Sequence, residues 1–201
     1  MTILSQFTVP WRNSSSATCP PYGVFQITGW EDLNGTFGLI GATPSQSLTG
    51  PLAINGYGQV KQNKTGRCNT SQWPCWAAYS GSNVPKAGEP YGTQTTYTIA
   101  LFTGADYVCL GAKNSNSGLN LILVQPCEQK IWQAKSSGVI THSTVTGQFK
   151  PMFDGAVVSG VTKTLEFNHA DGNKNISADK DLYVKWSLDK RAWLVLGADC
   201  E

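Results

Sequence analysis

The sequence predicts an all-β protein, folded as a small barrel or sandwich with two β sub-modules and little or no helix. Three observations lead to this fold class. Charged residues make up 14% of the 201 residues, well below the quarter that is usual in soluble proteins. Glycine (21 residues), serine, threonine and asparagine are abundant, which is typical of short strands joined by many turns. Apolar residues alternate with a period of two in most segments, and no helical pattern of ten residues or more is found.

The first predicted strands lie before residue 61. Residues 3–12 predict an opening strand, and Val24–Thr28 alternates as the next one. Asn34-Gly35 is a two-residue hairpin signal, which predicts that Ile27–Leu33 pairs with Thr36–Ala42. Residues 43–56 are interpreted as a loop because proline and glycine interrupt them, and residues 56–60 as the start of another strand.

The densest apolar segment is Trp73–Tyr79, in which both alternating faces carry apolar side chains. This pattern favours a strand that is covered on both sides. Residues 80–83 then form a turn, and Pro85 and Gly88 bracket a bend before Tyr91-Gly92. The preceding polar segment, Lys61–Ser71, is interpreted as an excursion from the sheet that this strand holds out toward solvent.

The best internal boundary is the polar run Lys113–Gly118, which suits either a hairpin loop or a short linker. It follows the predicted strands Thr95–Phe102 and Asp106–Gly111, both rich in β-branched or aromatic residues. We therefore expect an N-terminal β module at residues 1–115 and a C-terminal β module at residues 116–201.

The sequence pattern predicts strands throughout the second module as well. Residues 128–136 fit a strand better than a short helix because Lys130–Lys135 alternates. The remaining predicted strands are 119–124, 139–145, 149–153, 156–162 and 164–167, with a terminal hairpin formed by 182–187 and 192–197.

Residue types that carry catalysis are scarce. A serine–histidine–aspartate set would need His142 or His169 as its base, and no Gly-x-Ser-x-Gly elbow is present. The adjacent carboxylates Glu31-Asp32 would point to opposite faces of a strand, which disfavours a glycosidase pair. The run Asp171–Asn175 begins like a calcium loop but lacks the required glycine and glutamate. We therefore predict a non-enzymatic protein with no metal and no cofactor.

Aromatic side chains are the best candidates for binding. The chain has seven tryptophans, which in most proteins serve the core or an interface and only sometimes form a ligand platform. The candidate interface or ligand residues are Trp30, Trp73, Trp76 and Tyr79.

The six cysteines are sparse for a disulfide scaffold of this length. Cys68 and Cys75 enclose a short loop that a disulfide could close, and buried free thiols are the alternative.

Charge and hydropathy exclude two classes of partner. Before residue 115 there are 6 lysines and arginines against 4 aspartates and glutamates, and after it there are 9 against 9. Neither half therefore forms the basic patch that nucleic-acid binding needs. No run of 18 apolar residues could cross a membrane. The first 13 residues lack the pattern of a signal peptide, and we expect synthesis and folding in a cytoplasm.

Three segments together resemble a known group of proteins. They are Trp11–Ser15 with Pro21–Val24, the run Pro74–Tyr79 with Pro85–Gly92, and Gly155–Val161 with Val184–Trp186 and Ala192–Leu196. This order is similar to proteins from tailed bacteriophages and from planctomycete-type bacteria. The chain departs from that group in its cysteine content and in the segment Lys61–Ser71.

The phage members of this group are regarded as virion structural proteins of decoration, head-fibre or tail-accessory type. The resemblance implies a virion protein, made in the host cytoplasm, that binds other virion subunits and forms a homo-oligomer. It brings no catalytic residues. The alternative is a carbohydrate-binding or host-attachment module that contacts a surface glycan through exposed aromatic side chains.

Overall fold

The computed structural model of the protein describes residues 8–45, 50–116, 118–128, 130–140, 146–166 and 175–198. These residues form strands and no helix, so the predicted all-β class is confirmed. The strands are β1 Val9–Asn13, β2 Val24–Asp32, β3 Phe37–Ala42, β4 Leu52–Asn55, β5 Thr65–Asn69, β6 Cys75–Ser80, β7 Pro90–Thr93, β8 Ile99–Leu101, β9 Tyr107–Asn116, β10 Leu119–Pro126, β11 Ile131–Ser136, β12 Thr146–Phe153, β13 Ala156–Val157, β14 Lys163–Glu166, β15 Asp181–Ser187 and β16 Ala192–Ala198.

The chain divides into two compact units. Unit 1 contains Met1–Leu101 and Tyr107–Pro126, and unit 2 contains Phe102–Asp106 and Cys127–Glu201. The polar run at residues 113–118 forms the end of the β9–β10 hairpin, in which Asn116 pairs with Leu119. Residues 113–116 are strand residues that pair with residues 119–122, so the run belongs to a hairpin and not to a linker, and the expected division after residue 115 falls inside this hairpin.

Unit 1 contains two closed barrels of five strands each. The ring of barrel 1 is β1-β3-β2-β4-β5, and the ring of barrel 2 is β6-β8-β7-β9-β10. Counted along the chain, both rings have the order first, third, second, fourth, fifth. In both, the first and third strands are parallel and every other pair is antiparallel. The two barrels thus share one connectivity, although the sequence shows no repeat of fixed period.

Unit 2 contains barrel 3. Its ring, β11-β12-β14-β16-β15, closes through the pairing of β11 with β12, and β13 adds to β12 as a short edge. The parallel pair here joins β14 to β16, the third and fifth strands of the ring. If the strands of barrel 3 are counted from its third strand, β14, and the count continues from β16 to β11, the ring has the same order as barrels 1 and 2. The barrels are therefore circular permutations of one five-stranded ring. Such a Greek-key ring is the architecture of the OB-fold.

The core of barrel 1 is built on a stacked aromatic pair. The rings of Trp11 and Phe25 lie 3.9 Å apart at an interplanar angle of 11°, and both residues are fully buried. Gly41 makes room for them, since a Cβ there would lie 2.4 Å from Phe25 and 2.8 Å from Trp11. A barrel this small has space for few large side chains, so a glycine opposite the pair is a requirement of packing.

Several predicted elements are confirmed. Asn34 and Gly35 both adopt positive φ (56° and 79°) and join β2 to β3, with Asp32 opposite Phe37. This is the geometry that the Asn-Gly signal predicts. Residues 131–136 form a strand and not a helix, as their alternation predicts, and β15 pairs with β16 as the expected terminal hairpin.

The interpretation of Lys61–Ser71 as an excursion was wrong, because Thr65–Asn69 is β5 and closes barrel 1 against β1 and β4. The residues of β5 that face inward are Gly66 and Cys68, and its polar residues face solvent. Because these inward residues are small, the hydropathy of the segment does not show the alternation that is expected of a half-buried strand. Residues 52–55, predicted as loop, form β4, and residues 56–60, predicted as strand, form the following loop.

The predicted strand Thr95–Phe102 is also shorter than expected, since only Ile99–Leu101 pairs as β8. Tyr97 is buried in the core of barrel 1, where its hydroxyl donates a hydrogen bond to Asn13 Oδ1 at 2.9 Å. This tertiary contact overrides the local strand propensity. Likewise, of the predicted strand at 156–162 only Ala156–Val157 pairs, and Gly160 turns the chain at a positive φ of 72°.

In unit 2 a buried ion pair accompanies an aromatic core. Phe102 packs against Trp132 and Trp193 and accepts a hydrogen bond from Trp193 Nε1 at its carbonyl oxygen. Arg191 donates two hydrogen bonds to the carboxylate of Asp106, one from Nη1 and one from Nη2 at 2.9 Å. The two side chains are only 12% and 3% exposed, so this pair has little access to water.

Asp106→Asn is therefore expected to destabilise the protein strongly. It removes the carboxylate that faces the buried guanidinium of Arg191, and the loss of one partner of a buried ion pair costs about 3–5 kcal/mol. Urea denaturation followed by tryptophan fluorescence measures the loss. The matched control is Glu31→Gln, which removes the carboxylate of a bidentate arginine pair in a more exposed setting, where a much smaller loss is expected because solvent screens the pair. Equal losses in the two variants would contradict this account.

Candidate functional site

The four aromatic residues predicted to bind do not lie together. Trp30 is on β2 in barrel 1, whereas Trp76 and Tyr79 are on β6 in barrel 2 and Trp73 immediately precedes that strand. Tyr79 is buried, Trp73 and Trp76 are half-buried, and Trp30 is 71% exposed. Trp73 packs against Tyr107 with ring centroids 5.6 Å apart. Among the four, Trp30 alone presents most of its ring to solvent.

Trp30 forms an exposed aromatic pair with Phe37, a residue that no sequence pattern marks for binding. Their rings stack with centroids 6.1 Å apart and an interplanar angle of 23°, and Phe37 is 60% exposed. The β2–β3 hairpin brings them together, because Trp30 lies opposite Leu39 and Phe37 lies two residues from Leu39 on the same face. The pair could have been predicted from the sequence, because a two-residue Asn-Gly turn fixes which residues of β2 and β3 lie opposite each other.

An ion pair holds this hairpin against β1. Arg12 donates to both carboxylate oxygens of Glu31, with Nη2 2.9 Å from Oε2. The Arg12 guanidinium, through its hydrogen bonds, lowers the pKa of Glu31 below its ordinary value. The neighbouring Asp32 accepts the backbone N–H of Gly35. The two adjacent carboxylates therefore have separate structural partners.

Beside the hairpin lies a groove of about 560 Å³, which we call the barrel 1 groove. It is bordered by the β2–β3 turn on one side and by the loop after β4 with the start of β5 on the other. Its lining residues are Pro10, Leu33, Asn34, Thr36, Asn55, Gly56, Tyr57, Gly58, Gln59, Val60, Thr65, Gly66 and Arg67. Most are small, amide or hydroxyl residues, and the aromatic residue among those named is Tyr57, which is 87% exposed.

Asn55 fixes the floor of the groove. Its Oδ1 accepts the indole N–H of Trp11 at 3.1 Å. Its Nδ2 donates to the carbonyl oxygens of Pro20 at 2.8 Å and Gly58 at 2.7 Å. Asn55 is 2% exposed, so these bonds are made away from water. They tie the loop that carries Tyr57 directly to the barrel core.

Arg67 is the charged residue of this lining, and its described hydrogen bonds both come from Nη1. That nitrogen donates to the Thr8 carbonyl oxygen at 3.2 Å and to Thr8 Oγ1 at 3.5 Å. The guanidinium is thereby held through one nitrogen, which leaves its Nε and Nη2 edge for a planar acceptor such as a carboxylate.

The proposed Cys68–Cys75 disulfide is not formed in the structure, in which both residues are free thiols. Cys68 belongs to the core of barrel 1 and its thiol faces the carbonyl oxygen of Val9, whereas Cys75 lies on β6 of barrel 2. Burial raises the pKa of each thiol to about 12. Burial likewise raises the pKa of Cys19, which belongs to the same core.

The other chemical candidates fall outside the described residues. These are His142, His169 and residues 171–174 of the calcium-like run. Within the described part of the chain, no group of three or more histidine, cysteine, aspartate or glutamate side chains is placed to hold a metal ion. The same part contains no helix of the length and hydrophobicity needed to cross a membrane.

Comparison of the chain with family models, with curated proteins and with solved structures finds no match.

Asn55→Ala is expected to lower the free energy of unfolding by about 2–4 kcal/mol, since each buried group left without a partner costs about 1–3 kcal/mol. The indole N–H of Trp11 loses its acceptor and the Gly58 carbonyl loses a donor, whereas the Pro20 carbonyl keeps the N–H of Gly23. Urea denaturation is the measurement, and Gln59→Ala, an exposed change in the same groove, should stay within about 0.5 kcal/mol of wild type. A stable Asn55→Ala protein would show that this network does not support the fold.

The buried thiols predict a loss of stability in alkali. Thiols of the unfolded chain ionise near pH 8.5, whereas those of Cys68 and Cys75 hold their protons to about pH 12 in the folded protein. Their contribution is complete below about pH 8.5 and decreases as the pH rises toward 12. Thermal melting between pH 7 and pH 10.5 should show a falling Tm, and Cys68→Ala should make that fall shallower.

Thiol labelling tests the redox assignment independently. With a pKa of about 12, only about one thiol in ten thousand is ionised at pH 8, so an aromatic disulfide reagent should label Cys68 and Cys75 slowly in the native state and rapidly in urea. Peptide mapping by mass spectrometry identifies the labelled residues. Labelling in urea that required prior reduction would establish the disulfide instead.

Proposed function

We propose that this chain is a structural protein of a bacteriophage virion that binds other virion subunits, including copies of itself. The observation that carries the proposal is the exposed stacked pair Trp30–Phe37 on the β2–β3 hairpin of barrel 1. Two adjacent aromatic rings open to solvent are unusual on a protein surface without a partner. Aromatic residues are enriched in interfaces, and tryptophan is among the residue types enriched in the few positions that supply most of the binding energy.

The surroundings of this pair favour a rigid contact. The hairpin carries its rings on paired strands, is joined by a two-residue turn and is held by the Arg12–Glu31 ion pair. A surface that is already ordered loses little conformational entropy on binding. The resemblance to phage proteins described above gives the kind of partner, a virion subunit.

The double variant Trp30→Ala/Phe37→Ala tests the proposal. We expect wild type to self-associate in sedimentation experiments over a range of concentrations, and the double variant to associate at least tenfold more weakly, since a single interface aromatic contributes about 2 kcal/mol or more. Tyr183→Ala, a change at a half-exposed ring in unit 2, is the control and should associate as wild type does.

Two results would contradict the proposal. One is equal association of the double variant and wild type. The other is a chain that stays monomeric at every concentration and is absent, by mass spectrometry, from phage particles purified from its source. Flanking capsid, portal or tail genes would support the virion assignment independently.

A second candidate function, carbohydrate binding, is favoured by the barrel 1 groove. In the ring order of the OB-fold, ligands bind near the loops that join the first strand to the second and the fourth to the fifth. Through the circular permutation, these two loops correspond to the β4–β5 and β2–β3 connections of barrel 1, which border the groove. The correspondence is an analogy of fold, and the chemistry of the groove decides what it could hold.

A further inference from the structure

The barrel 1 groove has the size of a ligand site. Its volume of about 560 Å³ falls within the range of roughly 300–1,000 Å³ that is usual for small-molecule sites. It lies within a single barrel, with β-strands and the Asn55 network behind it. The site is therefore formed before any ligand arrives.

The charge of the groove selects an acidic ligand. Arg67 lines it, and no aspartate or glutamate belongs to the described lining. Because Nη1 of Arg67 is engaged by Thr8, the guanidinium can offer Nε and Nη2 together to the two oxygens of a carboxylate. Such bidentate pairs are about twice as strong as neutral hydrogen bonds and are specific for planar acids.

The remaining lining residues suit a sugar. Tyr57 stands between Gly56 and Gly58 and is 87% exposed, and an exposed ring offers an apolar face with a polar hydroxyl. Asn34, Thr36, Gln59 and Thr65 add to the lining amides and hydroxyls that can donate to and accept from the hydroxyl groups of a saccharide.

Two other classes of ligand fit less well. An extended peptide binds most readily by adding a strand to a free sheet edge, but β4 and β5 each have two neighbours in the closed ring of barrel 1. A nucleic acid presents a phosphate at every nucleotide and needs several cationic residues in its groove, whereas the described lining supplies Arg67.

From these contacts we propose that the barrel 1 groove binds an oligosaccharide that carries a carboxylate, such as a uronic or sialic acid residue. Tyr57 stacks on a sugar ring, and Arg67 pairs with the carboxylate. This inference rests on the second candidate function and does not depend on subunit binding through the Trp30–Phe37 pair.

The experiment uses the full chain in two steps. A glycan array with sialylated, uronic-acid-containing and neutral members finds the class of ligand. Calorimetric titration then compares a glucuronic-acid-containing tetrasaccharide, or the best acidic member of the array, with its methyl ester. We expect the acid to bind and the ester to bind at least tenfold more weakly. The ester has no charged carboxylate, so its hydrogen bond to the Arg67 guanidinium is a weaker, neutral one.

Three variants locate the site. Arg67→Gln should weaken binding of the acid at least tenfold and leave binding of the ester unchanged, whereas Tyr57→Ala should weaken both. Gly58→Leu should block the groove without disturbing the fold, since Gly58 has no positive φ and a Cβ there meets no atom within 4 Å. Gly138→Leu, at an equally open glycine in unit 2, should bind as wild type does.

The inference is overturned if no acidic glycan binds, if acid and ester bind equally, or if Arg67→Gln and Gly58→Leu both bind as wild type does. A single-stranded oligonucleotide that bound as tightly as the acidic glycan would overturn it too. Trp30→Ala/Phe37→Ala should retain glycan binding while it loses self-association, so the failure of one proposal is distinguishable from the failure of the other.

Discussion

The hydrogen bond between Trp11 and Asn55 connects the core of barrel 1 to its surface, and the candidate site depends on it. Trp11 stacks on Phe25 where Gly41 leaves just enough room, and its indole N–H is satisfied by Asn55. The same amide holds the loop that presents Tyr57. A buried polar network of this kind is stabilising only when every member has a partner. The packing of the barrel therefore fixes the shape of the groove.

Closed barrels suit a protein that binds through its loops. A closed ring leaves no unpaired strand edge to associate with other chains, so specific contacts fall to hairpins and connections. In barrel 1 the β2–β3 hairpin carries both the exposed Trp30–Phe37 pair and one wall of the groove. The two proposed binding surfaces are thus neighbours with different chemistry, one apolar and one polar with a single cation in the described lining.

The shared connectivity of barrels 1 and 2 left a faint signal in the sequence. Pro21-Tyr22-Gly23 leads into β2 and Pro90-Tyr91-Gly92 forms most of β7, so the same three residues stand at the second strand of each barrel. Most other positions differ, because a barrel constrains the size and polarity of its side chains more than their identity. Of the candidate site, the sequence identified Trp30. Phe37 and Tyr57 lie on predicted strands and Arg67 on the segment interpreted as a polar excursion, and no local pattern marks these three residues for binding.

By itself the sequence determined the all-β class, the Asn34-Gly35 hairpin, the strand at 131–136 and the terminal hairpin, because alternation and turn chemistry are local properties. Only the tertiary structure decided which strands close each ring. It placed Tyr97 in barrel 1, made β5 a barrel strand through inward Gly66 and Cys68, and exposed Trp30 while burying Tyr79. Burial depends on which segment covers a face, and that partner is distant in the chain.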